Sequence, residues 1–149
     1  MKTETSLEKA LRLATAAHAG HQDRYGQPYI LHCLRVMARV EGTPAQTVAI
    51  LHDVVEDTPW TIEKLRQEGF SEEVLRAIDC LTKREGEDYA AFVERSASDP
   101  LARRVKIADL EDNMDVRRMN EVTPEAVERL KKYLTAYRRV TRTTEPTPS

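Results

Sequence analysis

Apolar residues recur at three- and four-residue intervals along most of the chain, which is the spacing of amphipathic helices. The first apolar stripe begins behind Thr5 and Glu8, a capping-box pair that marks a helix start. The sequence contains no alternating pattern long enough to predict a strand, no internal repeat and no linker. We therefore predict an all-α fold, a single helical bundle. Its helices, about eight, are predicted at residues 5–19, 30–40, 43–58, 61–68, 71–81, 89–96, 101–118 and from 124 onward. Ser71 is expected to cap the fifth of them, and the last is expected to carry an apolar stripe through Val127, Leu130, Leu134 and Tyr137.

The third predicted helix carries several titratable side chains within an apolar run. Thr43 is expected to cap this helix. Helical spacing then places His52, Asp53, Glu56 and Asp57 on one face, spread over about one turn. Burying three carboxylates beside valine, leucine and isoleucine is costly without a compensating cation, and a metal ion is the simplest explanation. A single His-Asp pair is more often a surface or core pair, so the hypothesis depends on the rest of the chain.

A second acidic cluster follows in the seventh predicted helix. Asp109 lies between Ala108 and Leu110, which favours its burial beside a partner, and Asn113 is one turn further on the same face. Lys106 is three residues before Asp109. The other acidic residues of this region are expected to cover only a solvated outer face; they are Glu111, Asp112 and Asp115.

Together with a histidine of the second predicted helix, the two clusters supply a set of metal ligands: His32, His52, Asp53 and Asp109. A mixed nitrogen and oxygen set suits Mn²⁺ or Fe²⁺ at least as well as Zn²⁺. The sequence has no histidine after His52, so we predict one divalent ion. Glu56 and Asp57 are placed to steer water or to transfer a proton. The cations available for phosphate charge are Arg24, Lys83, Arg103, Arg104 and Lys106.

Composition narrows the class of partner. The net charge of −2 with 32% charged residues does not favour bulk binding to nucleic acid or to an anionic membrane. No apolar run reaches the length of a membrane span, and the N-terminus lacks a signal-peptide pattern, so we expect a soluble cytoplasmic protein. Cys33 and Cys80 resemble free thiols, with a single disulfide left open. The expected domain spans residues 1–140, before a disordered Thr/Pro-rich tail at 141–149.

Four ordered motifs carry a resemblance to a known family. The order of His32, His52-Asp53 and Asp109 is similar to that of the HD phosphohydrolase superfamily. The match is closer to the hydrolase domain of the RelA/SpoT homologues and to small single-domain alarmone hydrolases. It covers roughly residues 5–120, and only the combination of motifs is specific. The motifs lie at residues 26–32, 51–58, 81–83 and 106–114.

The resemblance implies an all-helical HD domain with one Mn²⁺ held by the four ligands named above. It also implies removal of the 3′-pyrophosphate from guanosine tetra- or pentaphosphate, which yields GDP or GTP and pyrophosphate. Glu56 and Asp57 match the acidic pair that activates water in the family. The expected substrate contacts are Arg24, Tyr29, Lys106 and Asn113. The expected partner is therefore a small-molecule nucleotide, with neither nucleic acid nor membrane; a homo-oligomer stays open.

The chain departs from the family pattern where the base is read. Asp23 stands where long members have an arginine that packs on guanine, and Val116 replaces a threonine expected near the base. Cys33 replaces a proline, His21 a glutamine, and residues 111–112 a more basic or neutral pair. Two alternatives therefore remain open. One is an HD phosphohydrolase acting on another nucleotide, such as an adenine alarmone or NADPH. The other is a non-catalytic HD domain that only binds a nucleotide or a partner protein.

Overall fold

The computed structural model describes residues 2–142, and the regular secondary structure of that part is helical apart from one bridge between Gln22 and Pro28. The prediction of an all-α fold is confirmed. The α-helices are α1 (Ser6–Ala17), α2 (Ile30–Ala38), α3 (Thr43–Leu51), α4 (Val54–Asp57), α5 (Ile62–Gln67), α6 (Glu72–Cys80), α7 (Tyr89–Ala97), α8 (Pro100–Asn113) and α9 (Pro124–Thr141). Of the predicted tail, residues 143–149 lie outside the described residues.

Helix α3 lies at the centre of the bundle and packs against α1, α2, α6 and α8. It is apolar on almost every side, so it can be covered on every side. Its buried residues are Ala45, Thr47, Val48, Ala49, Ile50 and Leu51. The apolar run noted in the sequence is therefore the axis of the core. It leads directly into the His-Asp pair.

Most predicted helix starts agree with the structure. The Thr5 hydroxyl accepts the Glu8 N–H and the Glu8 carboxylate accepts the Thr5 N–H, which completes the capping box. Ser71 caps α6 as expected. The predicted cap of α3 is wrong: Thr43 is already helical and Gly42, with φ 90°, is the N-cap. A glycine adopts this left-handed backbone without the steric cost that a threonine would meet.

Two predictions near the C-terminus also need correction. Helix α8 ends at Asn113 and not at residue 118, because the Asp115 carboxylate accepts the Arg117 N–H and starts a separate 3₁₀ turn at Val116–Arg118. In α9 the predicted apolar stripe included Val127 and Leu134, which are 38% and 42% exposed. The face that packs on α7 and α8 instead buries Ala126, Ala136 and Val140.

The remaining global expectations concern thiols and membranes. Cys33 and Cys80 are both free thiols, so the open question of a disulfide between them is resolved. None of the helices described between residues 2 and 142 combines the length and the apolarity that a membrane crossing requires.

Candidate metal centre and adjoining pocket

Four side chains with metal-ligand chemistry meet at one point of the bundle. His32 comes from α2, His52 and Asp53 from the junction of α3 and α4, and Asp109 from α8. Each offers one ligand atom, and these atoms lie within 4.8 Å of one another. The structure therefore brings together the four residues that the sequence singled out as ligands.

The His-Asp pair lies in a break between two helices. The sequence predicted one continuous helix, but α3 ends at Leu51 and α4 begins only at Val54. Asp53 has φ −105° and ψ 0°, outside regular helix geometry, while helical hydrogen bonding resumes with Asp57 N–H donating to the Asp53 carbonyl at 3.0 Å. The break leaves Asp53 Oδ2 2.9 Å from His52 Nε2.

Both imidazoles are oriented in the way that metal-binding histidines are. His52 Nδ1 lies 2.6 Å from the Ala49 carbonyl oxygen, and His32 Nδ1 lies 2.7 Å from Asp112 Oδ2. Each Nδ1 therefore carries the hydrogen, which leaves Nε2 as the electron-pair donor toward Asp53 and Asp109. His52 Nε2 is buried and makes no hydrogen bond. A buried, unsatisfied nitrogen facing two carboxylates fits a bound cation.

Without an ion, protons balance the charge of this group. Burial by itself lowers the pKa of His52, but the charges of Asp53 and Asp109 outweigh it and raise that pKa well above its usual range. Burial raises the pKa of Asp53, but the His52 charge outweighs it and lowers that pKa to about 2. The pKa of Asp109 is also lowered, because the neighbouring His32 and His52 imidazoles outweigh the effect of burial. The two carboxylates thus stay ionised and attract positive charge. We regard the group as a candidate site for a divalent metal ion.

The acidic pair of α4 borders this group. Glu56 and Asp57 are exposed at the surface and Asp53 is partly buried, so the expectation that three carboxylates are buried together is wrong. Incomplete hydration and the nearby Asp53 charge raise the pKa of Asp57 to about 6, and the same causes raise the pKa of Glu56. A carboxyl group with a pKa near neutrality can both accept and donate a proton.

Three of the four predicted substrate contacts touch the ligand carboxylates in this structure. The Tyr29 hydroxyl donates to Asp53 Oδ2, and Asn113 Nδ2 donates to Asp109 Oδ1 at 3.2 Å. Lys106 Nζ lies 3.5 Å from Asp109 Oδ2, and its side chain is buried against the Phe92 ring. These residues therefore position ligand oxygens as well as lying next to the place where a substrate would bind.

The fourth predicted contact, Arg24, lies in a pocket of about 400 Å³ that opens beside His32. Two further residues on α9 reach the same pocket, Arg129 and Tyr133, and no motif in the sequence points to them. A pocket with several cations beside a group of metal ligands is suited to a phosphorylated molecule. The lining residues are Gln22, Asp23, Arg24, Tyr25, Tyr29, His32, Asn113, Arg118, Arg129 and Tyr133.

The structure explains one position, Asp23, at which the chain departs from the family pattern expected near the nucleotide base. Its Oδ1 accepts the Tyr25 and Gln27 N–H groups, and its Oδ2 lies 3.2 Å from Arg118. The aspartate thus shapes the loop wall of the pocket and binds an arginine from another element. Val116 is 53% exposed.

Three sequence expectations are wrong here. The sequence predicts Asp112 on a solvated face, yet it is fully buried and contacts His32. Its spacing of three residues from Asp109 was the available signal, because residues three apart share a helix face. Arg103 and Arg104 were counted as phosphate cations, but Arg103 donates to the Val140 and Arg142 carbonyls and Arg104 donates to the Glu41 carbonyl. Both arginines tie helix ends together.

Comparison with known proteins agrees with this geometry. A family model described as HD domain matches residues 10–142. A probable GTP pyrophosphokinase of Mycobacterium leprae is 36% identical over 80% of this chain and 16% of its own length. A guanosine-3′,5′-bis(diphosphate) 3′-pyrophosphohydrolase of Aquifex aeolicus is 30% identical over 72% of this chain and 17% of its own. The solved structure of a metazoan orthologue of SpoT, described as hydrolysing ppGpp, matches with a TM-score of 0.77 and 22% identity over 97% of this chain and 90% of that one.

The chain belongs to the HD domain family. The predicted resemblance to RelA/SpoT-type proteins is confirmed by these relatives, and the structural match confirms the fold. The chain spans about a sixth of the length of the two bacterial relatives.

Proposed function

We propose that this protein is a Mn²⁺-dependent hydrolase that removes the 3′-pyrophosphate of guanosine tetra- or pentaphosphate, giving GDP or GTP and pyrophosphate. The observation that carries the proposal is the group of two imidazoles and two carboxylates within 4.8 Å, next to a pocket with several arginines. The relatives that match across most of this chain are named for making or hydrolysing this class of nucleotide.

His32, His52, Asp53 and Asp109 would hold the ion. A set of nitrogen and oxygen donors without any thiolate suits Mn²⁺ or Fe²⁺ at least as well as Zn²⁺, and manganese is what the resemblance to the RelA/SpoT-type hydrolases implies. Such an ion lowers the pKa of a water molecule and polarises a phosphoryl oxygen.

Glu56 and Asp57 would carry out the proton transfers of the hydrolysis. A carboxylate at this position would accept the proton of the water that attacks phosphorus, and a protonated partner would donate a proton to the departing ribose 3′-oxygen as pyrophosphate is released. The raised pKa of Asp57, about 6, suits a group that changes protonation during turnover. Both side chains are exposed, so they can meet a substrate without a rearrangement of the core.

The pocket would bind the nucleotide. Arg24 and Arg129 supply positive charge for the phosphates, and Tyr133 supplies an aromatic side chain at the same wall. Tyr29 and Asn113 lie between this pocket and the ligand carboxylates, where they would orient the scissile phosphate.

Purified protein with added Mn²⁺ should be incubated with guanosine and adenosine 3′-diphosphates and with NADPH, and the products separated by chromatography. The proposal predicts pyrophosphate and GDP or GTP from the guanine substrate. Orthophosphate release from another nucleotide would instead support a different HD phosphohydrolase. Binding without turnover would support a non-catalytic domain. Asp53→Ala is the matched control, because contaminating activity would survive that change.

A further inference from the structure

A buried carboxylate outside the ligand group links α2, α8 and the 3₁₀ turn. Asp112 Oδ2 accepts from His32 Nδ1 at 2.7 Å and forms an ion pair with Arg118 Nη1 at 2.9 Å, and the same Nη1 donates to the Asp112 main-chain carbonyl. Its Oδ1 accepts from Arg35 Nε at 2.8 Å, and Arg39 lies 3.7 Å away. The side chain is completely buried, so these groups replace all of its hydration.

We propose that Asp112 is a positioning residue that fixes the ring orientation and the tautomer of His32, so that His32 Nε2 is free to bind the divalent ion. The inference rests on the proposed metal site and adds a residue to it. Asp112 itself is too far along the ring to be a ligand, because it contacts Nδ1 while Nε2 faces Asp109 at 3.0 Å.

The two histidines of the site are held in different ways. His52 is anchored by the main-chain carbonyl of Ala49, which no side-chain substitution can remove. His32 depends on a side chain for the equivalent hydrogen bond. A charged acceptor also makes the opposite ring nitrogen more basic and a better ligand.

The arginines explain how a bare carboxylate can be buried here. Arg35 lies on α2 three residues after His32, Arg39 is the C-cap of the same helix, and Arg118 reaches in from the 3₁₀ turn. Their charges offset the desolvation of Asp112, and the hydrogen bond from Arg35 holds its Oδ1 in place. Arg118 also binds Asp23, so the arrangement couples the pocket loop to His32.

Asp112→Asn tests the proposal. An amide keeps the shape but offers an acceptor at only one of the two oxygen positions, so either His32 or the arginines face an N–H group. We expect the Kd for Mn²⁺, measured calorimetrically, to rise by about 10–100-fold. The matched control is Glu111→Gln, which removes the neighbouring charge on α8 without touching a ligand and should leave the Kd unchanged.

A second measurement separates positioning from simple destabilisation. Long-range ¹H–¹⁵N NMR of Zn²⁺-loaded wild-type protein should show the His32 hydrogen on Nδ1, and this experiment needs no variant to fold. A purely structural role for Asp112 would lower the free energy of unfolding in urea while leaving metal affinity intact. Unchanged affinity in Asp112→Asn, or a wild-type His32 hydrogen on Nε2, overturns the inference.

These outcomes are independent of the nucleotide assay. Weaker metal binding by Asp112→Asn in a protein that hydrolyses no alarmone would support the role of Asp112 and refute the proposed substrate. Alarmone hydrolysis by the wild-type protein, together with equal Mn²⁺ affinities of the wild-type protein and Asp112→Asn, would support the proposed substrate and refute the role of Asp112. A wild-type protein that binds no divalent ion would refute both.

Discussion

Binding of a divalent ion should displace protons from the two site histidines, and metal affinity should therefore rise with pH. Burial lowers the pKa of His32, but hydrogen bonds with Asp109 and Asp112 outweigh it and raise that pKa. The pKa of His52 lies well above its usual range beside Asp53. In the metal-free protein, imidazolium groups thus provide the positive charge that the carboxylates require. An ion can bind only to the neutral rings.

The sign and the size of the pH dependence of metal binding follow from these pKa shifts. A folded-state pKa above the unfolded value of about 6.5 stabilises the metal-free fold below that pH, and the contribution is lost as pH rises through the raised pKa. Asp53 and Asp109 have lowered pKa values and release no protons near neutrality. Each displaced proton changes the binding free energy by about 1.4 kcal/mol per pH unit. Two displaced protons therefore lower the Kd by up to about 100-fold per pH unit as long as the pH is below both raised histidine pKa values.

Calorimetric titration with Mn²⁺ in two buffers of different ionisation enthalpy counts the released protons directly. Thermal unfolding provides a second readout: an ion at 100 times its Kd stabilises by about 2.7 kcal/mol, or about 5–11 °C in a domain of this size. The difference in Tm between Mn²⁺ and chelator should increase with pH. If the affinity for Mn²⁺ does not change with pH and binding releases no protons, the site histidines are not protonated in the metal-free protein and this reasoning is refuted.

The remaining predictions concern single parts of the structure. Asp53→Ala should abolish metal retention, since it removes a charged ligand; stoichiometric metal by elemental analysis would show the ligand set to be wrong. Glu56→Gln combined with Asp57→Asn should keep the metal and slow turnover by about 10² or more in single-turnover assays, and unimpaired hydrolysis would exclude the pair from proton transfer. Ile78→Ala, in the core far from the ligands in sequence, should cost about 2–5 kcal/mol of unfolding free energy in urea, with metal stoichiometry as its control.

The sequence by itself determined the helices and the ligand types. Three- and four-residue spacing is set by helix geometry, so the apolar stripes and the caps at Thr5 and Ser71 could be predicted locally. His32, His52, Asp53 and Asp109 were selected because acids and histidines among apolar residues need a partner.

Tertiary structure decided what those ligands touch. Residue spacing reveals neither the break between α3 and α4 nor the early end of α8, where the Asp115 carboxylate competes for the Arg117 N–H. Asp112 looked like a solvated acid, because nothing along the chain shows that arginines from α2 and from the 3₁₀ turn close over it. Burial is a property of packed surfaces and not of one helix, so the support of His32 became visible only once the bundle was assembled.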